Sequence, residues 1–174
     1  MTWNTEKIVH SYIWGDEEIL WGFDSSHKYT YKILKPKPGE LGCLSLQRHE
    51  EKDETWLGIS GLGWGILVDL DRRLIRTRLI KPNMHINIPA GTIHRLMGID
   101  TSFAVAESST LDEHAADKEK VKDVIRLDCI YGRECAKPRN LLEEKAVKLC
   151  INFTKRAIKS IEKGSLPKEI ERIF

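Results

Sequence analysis

Ser45-Leu46-Gln47-Arg48-His49-Glu50-Glu51-Lys52-Asp53-Glu54-Thr55-Trp56 is the stretch on which the fold turns. Its first half, with Leu44, alternates. On a strand Leu44, Leu46 and Arg48 face one way and Ser45, Gln47 and His49 the other, because successive side chains point to opposite faces. Glu54 follows a short polar segment that turns the chain into a neighbouring strand. Further on, Ile88-Pro89-Ala90-Gly91-Thr92-Ile93-His94-Arg95-Leu96 offers a second imidazole after a tight Pro/Gly turn. Two imidazoles, one carboxylate and one amide oxygen form a donor set that holds a divalent cation and leaves positions open for a substrate. The predicted ligands are therefore Gln47, His49, Glu54 and His94.

Outward from this stretch, residues 12 to 107 are short apolar or alternating runs cut by Gly and Pro. Tyr29 to Leu34, Leu44 to His49, Thr55 to Ile59, Trp64 to Val68, Leu74 to Leu79, His85 to Ile88 and Ser102 to Glu107 read as strands. Many short strands with glycine-marked turns argue an all-β sandwich or small barrel. Thr110 to Lys122 is charged and reads as a loop. From Pro138 the apolar period changes to that of a helix, with Gly164 as its stop, and Pro167 opens an expected short last helix over Lys168 to Ile173. Trp14, Trp56 and Trp64 read as core or barrel-wall residues. His10, His27, His85 and His114 read as surface or structural.

The chain has 174 residues, with 28 basic and 26 acidic side chains and a formal net charge of +2. That size fits one domain with a real core and an appended element. The near balance of charge gives no reason to expect nucleic acid or a membrane surface as partner. Cys43, Cys129, Cys135 and Cys150 are widely spaced with no CxxC pair, which suits reduced thiols. The start, Met1-Thr2-Trp3-Asn4, lacks the pattern of a signal peptide, and no apolar run is long enough to span a bilayer. A cytoplasmic protein is expected.

Over residues 12 to 133 the chain resembles the cupin superfamily and, within it, the type II mannose-6-phosphate isomerase family, the isomerase domain of bifunctional mannose-1-phosphate guanylyltransferase/mannose-6-phosphate isomerase enzymes. The residues that carry the resemblance are Trp14-Gly15, Lys32, Pro38-Gly39, Leu44-Ser45-Leu46-Gln47-Arg48-His49, Glu54 and Trp56 in the first half. In the second half they are His94-Arg95-Leu96, Asp123, Arg126, Asp128 and Tyr131-Gly132-Arg133. Lys52 stands where the family has Arg, Lys122 where it has Asp, and Tyr12-Ile13 where it has Lys/Arg-Pro. No nucleotidyltransferase domain or Gly-rich nucleotide loop is present in this sequence, so synthesis of GDP-mannose is not expected of it.

The resemblance implies a cupin double-stranded β-helix, or jelly-roll barrel, over residues 1–133 with a C-terminal α-helical extension over 134–174. It implies a metal-dependent aldose–ketose isomerase acting on a sugar phosphate, namely mannose 6-phosphate and fructose 6-phosphate. Zinc is the first metal expected, and Mn, Fe, Co or Ni suit the same donors. Arg95, which follows a ligand, is expected to stabilise a phosphate or a developing enediolate. The base that moves the carbon-bound proton is sought among Glu107, Lys32 and Lys52. Ion pairing on a rim is the competing role for each of these residues and for Arg126. Another sugar-phosphate isomerase or epimerase, an Fe-dependent dioxygenase and a non-catalytic sugar-binding cupin remain open alternatives. Cupins commonly dimerise, so a homodimer is expected, with the apolar stripe from Leu141 to Ile161 as the candidate surface.

Overall fold

A computed structural model describes residues 6–24, 26–110 and 122–174. The loop expected over Thr110 to Lys122 falls, apart from its two end residues, outside the described residues, as does His114.

Twelve strands, one short 3-10 turn (Gly39–Gly42) and one long helix are found among the described residues. The strands are β1 (Ile8–Tyr12), β2 (Gly15–Trp21), β3 (Tyr29–Pro36), β4 (Leu46–Arg48), β5 (Glu54–Ser60), β6 (Gly63–Asp69), β7 (Leu74–Ile80), β8 (His85–Ile88), β9 (Ile93–Gly98), β10 (Ala104–Thr110), β11 (Ile125–Asp128) and β12 (Ile170–Ile173); the helix, α1, spans Leu141–Glu162. They form two six-stranded sheets, ordered β1-β2-β3-β10-β5-β8 and β11-β4-β9-β6-β7-β12. Every named pairing within them is antiparallel. Two stacked antiparallel sheets with this crossing order are the double-stranded β-helix expected from the sequence.

The centre of the second sheet is buried on both faces, as β9 shows. All six of its residues are buried. Ile93 and Met97 join Trp64, Ile66 and Val68 in a core that also takes Val147, Cys150, Phe153 and Ala157 from α1. Leu96 points the other way, into the space between the sheets, with Trp14, Leu34, Trp56, Ile88, Phe103 and Val105. The two-residue period thus sends alternate side chains of one strand to two different cores. The three Trp residues are wall and core residues as expected.

The helix begins where Asn140 caps it, its side chain accepting from the Glu143 N–H, and it carries acids in its first turn and Lys159 in its last. Its apolar stripe lies on the barrel's own outer face. The stripe is therefore not a free surface for a second copy, which corrects the expectation above. One buried ion pair and one buried hydrogen bond fix it there. Arg48 of β4 donates through Nε to Glu143 at 3.0 Å, and Arg95 of β9 donates to Thr154 Oγ1 at 3.1 Å.

The expected helix over Lys168 to Ile173 is a strand instead. β12 pairs with the edge of β7, Ile170 opposite Thr77, and the Ile170 N–H donates to Thr77 Oγ1 at 2.8 Å. An open edge of β7 offers unpaired backbone groups to any extended segment that reaches it, and that outweighs the weak helix propensity of so short a piece.

Candidate metal centre

Three strands and one turn build the site. Gln47 on β4 pairs directly with His94 on β9. Since Leu46 and Arg48 face α1, Gln47 and His49 face inward, and β9 sends His94 inward between Ile93 and Arg95. Glu54 opens β5 across the gap. Gly91, with φ +82°, lets the Pro89–Thr92 turn fold so that its N–H donates to the His49 carbonyl at 2.7 Å. That bond ties the end of β4 to the start of β9 and so fixes one imidazole against the other.

His49, Glu54 and His94 are almost fully buried and close together. His49 Nε2 lies 3.2 Å from Glu54 Oε1, and His94 Nε2 lies 3.4 Å from Glu54 Oε2. Ligand atoms of all three lie within 4.8 Å of one another. The Gln47 amide sits 3.4 Å from His49 Nε2 and 3.5 Å from His94 Nε2. A half-turn of that amide presents its oxygen to the same point. The structure thus brings all four residues predicted as ligands into one cluster.

The tautomers are set from behind. Each imidazole donates its Nδ1 proton to a backbone carbonyl, His94 to Thr92 at 2.9 Å and His49 to Asp123. Both Nε2 atoms then face Glu54, the arrangement that suits a metal-binding imidazole. Burial drives the His94 pKa down to about 4, so its ring is neutral at neutral pH. Burial also opposes the charge on Glu54, but the contact from His49 and the Lys52 ammonium outweigh it and hold the carboxyl well below its usual range. Glu54 Oε2 is buried and accepts no hydrogen bond. An ionised, partly unsatisfied carboxylate between two imidazole Nε2 atoms fits a divalent cation.

Gln47, His49 and Glu54 line a cleft of about 100 Å³, with His94 behind them. Lys52 Nζ is 2.5 Å from Glu54 Oε1 and 3.8 Å from Glu107 Oε1. Burial works against its ammonium, but Glu107 and Glu54 raise its pKa, so it stays charged. Burial, then repulsion from Glu54, raises that of Glu107. Lys32 stands opposite Glu107 in the β3–β10 register and pairs with Glu17 at 3.3 Å. Lys32, Lys52 and Glu107 therefore share the cleft with the predicted ligands.

Arg95 does not reach the cleft. Next to His94 on a strand, it must face the opposite side, where its Nη2 donates to Asp128 Oδ2 at 2.6 Å and to the Asp128 carbonyl at 2.9 Å. It clamps α1 and β11 to the sheet. Glu17, by contrast, lines the cleft and was missed in the sequence, although Gly15, Glu17 and Ile19 alternate in the way that would have placed it on the inner face. Asp123, known only as a motif match, shapes the turn between two ligands: its carboxylate accepts from the backbone N–H groups of Glu50, Glu51 and Lys52 at 2.8, 3.0 and 3.0 Å. Among the other histidines, His27 stacks on Trp21 with centroids 3.7 Å apart, and His85 lies exposed on β8.

Residues 4–103, which carry every predicted ligand, match the family described as "Mannose-6-phosphate isomerase C-terminal". The chain belongs to this family. Among curated relatives of the mannose-6-phosphate isomerase C-terminal domain, the chain is similar to mannose-1-phosphate guanylyltransferase 2 of Escherichia coli O157:H7, 33% identical over 95 residues, which are 53% of this chain and 17% of that protein. It is also similar to the alginate biosynthesis protein AlgA of Pseudomonas syringae pv. tomato, 29% identical over 127 residues, 71% of this chain and 22% of that one. The chain thus spans about a fifth of the length of the curated relatives it matches. Two solved structures share its fold. One is the capsular polysaccharide assembling protein CapF of Staphylococcus aureus (TM-score 0.57, 17% identity, 71% of this chain and 35% of that one). The other is an oxalate decarboxylase of B. subtilis (TM-score 0.56, 13% identity, 71% of this chain and 31% of that one). The fold is that of a cupin.

Proposed function

We propose that this protein is a metal-dependent aldose–ketose isomerase that interconverts mannose 6-phosphate and fructose 6-phosphate. The observation that carries the reading is the convergence of His49, Glu54 and His94 on one buried point, with Lys52 and Glu107 beside it in the same cleft. We assign Gln47, His49, Glu54 and His94 as the residues that hold the metal, with zinc as the first candidate. A cation held there supplies Lewis-acid polarisation of an open-chain sugar's carbonyl.

The chain's own groups do the rest. Isomerisation moves a proton between C1 and C2, so a base must take it from one carbon and return it to the next. Glu107 is assigned this role. Its raised pKa makes it a stronger base than an ordinary carboxylate. Lys52, kept charged by its two carboxylates, is placed to stabilise negative charge on the oxygens as the proton leaves. Lys32, held by Glu17, supports the opposite wall. Arg95 acts on the reaction only through the scaffold.

The test is a coupled assay with mannose 6-phosphate on protein loaded in turn with zinc, manganese, iron, cobalt and nickel, alongside deuterium exchange at C2 in heavy water. Turnover that depends on added metal and is lost in Glu107→Gln supports the reading. Sugar-phosphate binding without exchange at C2 under every metal overturns it in favour of a binding protein.

A further inference from the structure

β11 carries a basic pair that the metal chemistry leaves unused. Arg126 sits opposite Gln47 in the β4–β11 register, and Leu127 next to it joins the core under α1. Alternation therefore turns Arg126 inward, on the same side as the predicted ligand Gln47, with Cβ atoms about 5 Å apart as for any directly opposed pair. Arg126 Nε is buried and has no hydrogen-bond partner.

Arg133 approaches the same rim from the following turn. Its Nε donates to Cys129 Sγ at 3.2 Å, its Nη2 lies 3.5 Å from Ser45 Oγ, and its guanidinium stands 5.8 Å from the centre of the Tyr131 ring. Tyr131 is itself tied down, its hydroxyl donating to the Leu41 carbonyl at 2.6 Å. These contacts place the guanidinium without neutralising it. Among the described residues no carboxylate pairs with Arg126 or Arg133, and each lines the cleft. Burial, then the nearness of Arg133, pushes the Arg126 pKa below its usual value. The acids of the cleft, Glu17, Glu54 and Glu107, pair instead with Lys32 and Lys52.

Two guanidinium groups on one side of the cleft, with no carboxylate partner among the described residues, form a fork for an oxyanion. We infer that Arg126 and Arg133 form a phosphate subsite on the Gln47 side of the cleft, which seats the phosphate ester of the substrate and points its other end at the metal ligands. This deepens the isomerase reading, and it makes the pair a determinant of phosphorylated over free sugars.

Inorganic phosphate is the probe, titrated calorimetrically into the whole chain kept metal-free with EDTA, so that phosphate cannot report on a bound cation. Wild type and His49→Ala are expected to bind it alike. Arg126→Gln and Arg133→Gln are each expected to bind at least about tenfold more weakly. Arg133 is exposed, so its variant keeps the question answerable if Arg126→Gln does not fold. Equal phosphate affinity in wild type and Arg133→Gln overturns the subsite, as does loss of binding in His49→Ala. Mannose 6-phosphate turnover is measured separately: phosphate binding that needs both arginines, with no turnover, sinks the isomerase and keeps the subsite, whereas turnover with an unchanged KM in both variants does the reverse.

Discussion

Asp123 holds His49 from behind: its carbonyl oxygen takes the Nδ1 proton of the imidazole, while its carboxylate takes three backbone N–H groups from the turn that follows. One residue thus orients the first predicted imidazole ligand and shapes the path to Glu54. Asp123→Ala removes the carboxylate and frees that turn. We expect the variant to fold and to bind zinc about 10- to 100-fold more weakly, the usual cost of losing an outer support of a metal site, as read by competition with a chromogenic chelator.

Removal of a ligand has a different signature. Wild-type protein is expected to gain about 2.7 kcal/mol of stability at a zinc concentration one hundred times its dissociation constant, because the ion binds only the folded chain. His49→Ala is expected to show no such gain in a denaturant melt with and without zinc. An equal gain in the variant would place the ion elsewhere.

Lys52 separates proton chemistry from metal holding. Its ammonium lies 2.5 Å from Glu54 Oε1, so it repels a cation that Glu54 attracts. Lys52→Met is expected to hold zinc at least as tightly as wild type while kcat falls by about two orders of magnitude. Metal content by elemental analysis and turnover on the same sample check both halves.

The buried neutral ring of His94 makes the metal-free protein sensitive to acid. Its folded pKa, about 4, lies below the ordinary 6.5, so the unfolded chain binds the proton more readily. The stability this ring contributes is full above about pH 6.5 and is lost as pH falls toward 4, by an amount on the order of 3 kcal/mol. Urea melts of the metal-free protein at several pH values in that window are expected to show the decline, and His94→Gln is expected to flatten it.

Arg95→Ala tests the clamp. It strips Thr154 and Asp128 of a buried donor and is expected to cost about 3 kcal/mol of stability while leaving zinc affinity within a few-fold of wild type. A large loss of metal affinity at unchanged stability would return Arg95 to the site.

The alternation of Leu46, Gln47, Arg48 and His49 was legible because a strand with two different cores writes its period into residue type. The same period, applied to His94 and Arg95, shows that neighbours on a strand cannot share a pocket; the family match drew Arg95 toward the chemistry against that geometry. β1 and β2 were not read as strands because Ile8, Val9 and Tyr12 are partly exposed and Glu17 and Glu18 interrupt any apolar run. β12 was illegible for another reason. Its conformation comes from the edge of β7, a partner far away in sequence, and Pro167 ahead of it looked like the start of a helix.

His94 rides on a strand with no free side: Trp56 stands edge-on to its ring within the barrel, and α1 braces the strand at the back. Such a ligand has little freedom to travel. An ion larger than the gap must be met by movement of the Gln47 amide, the one of the four that is not fully buried, so discrimination among cations of different radius falls chiefly to the stiffness of the barrel wall.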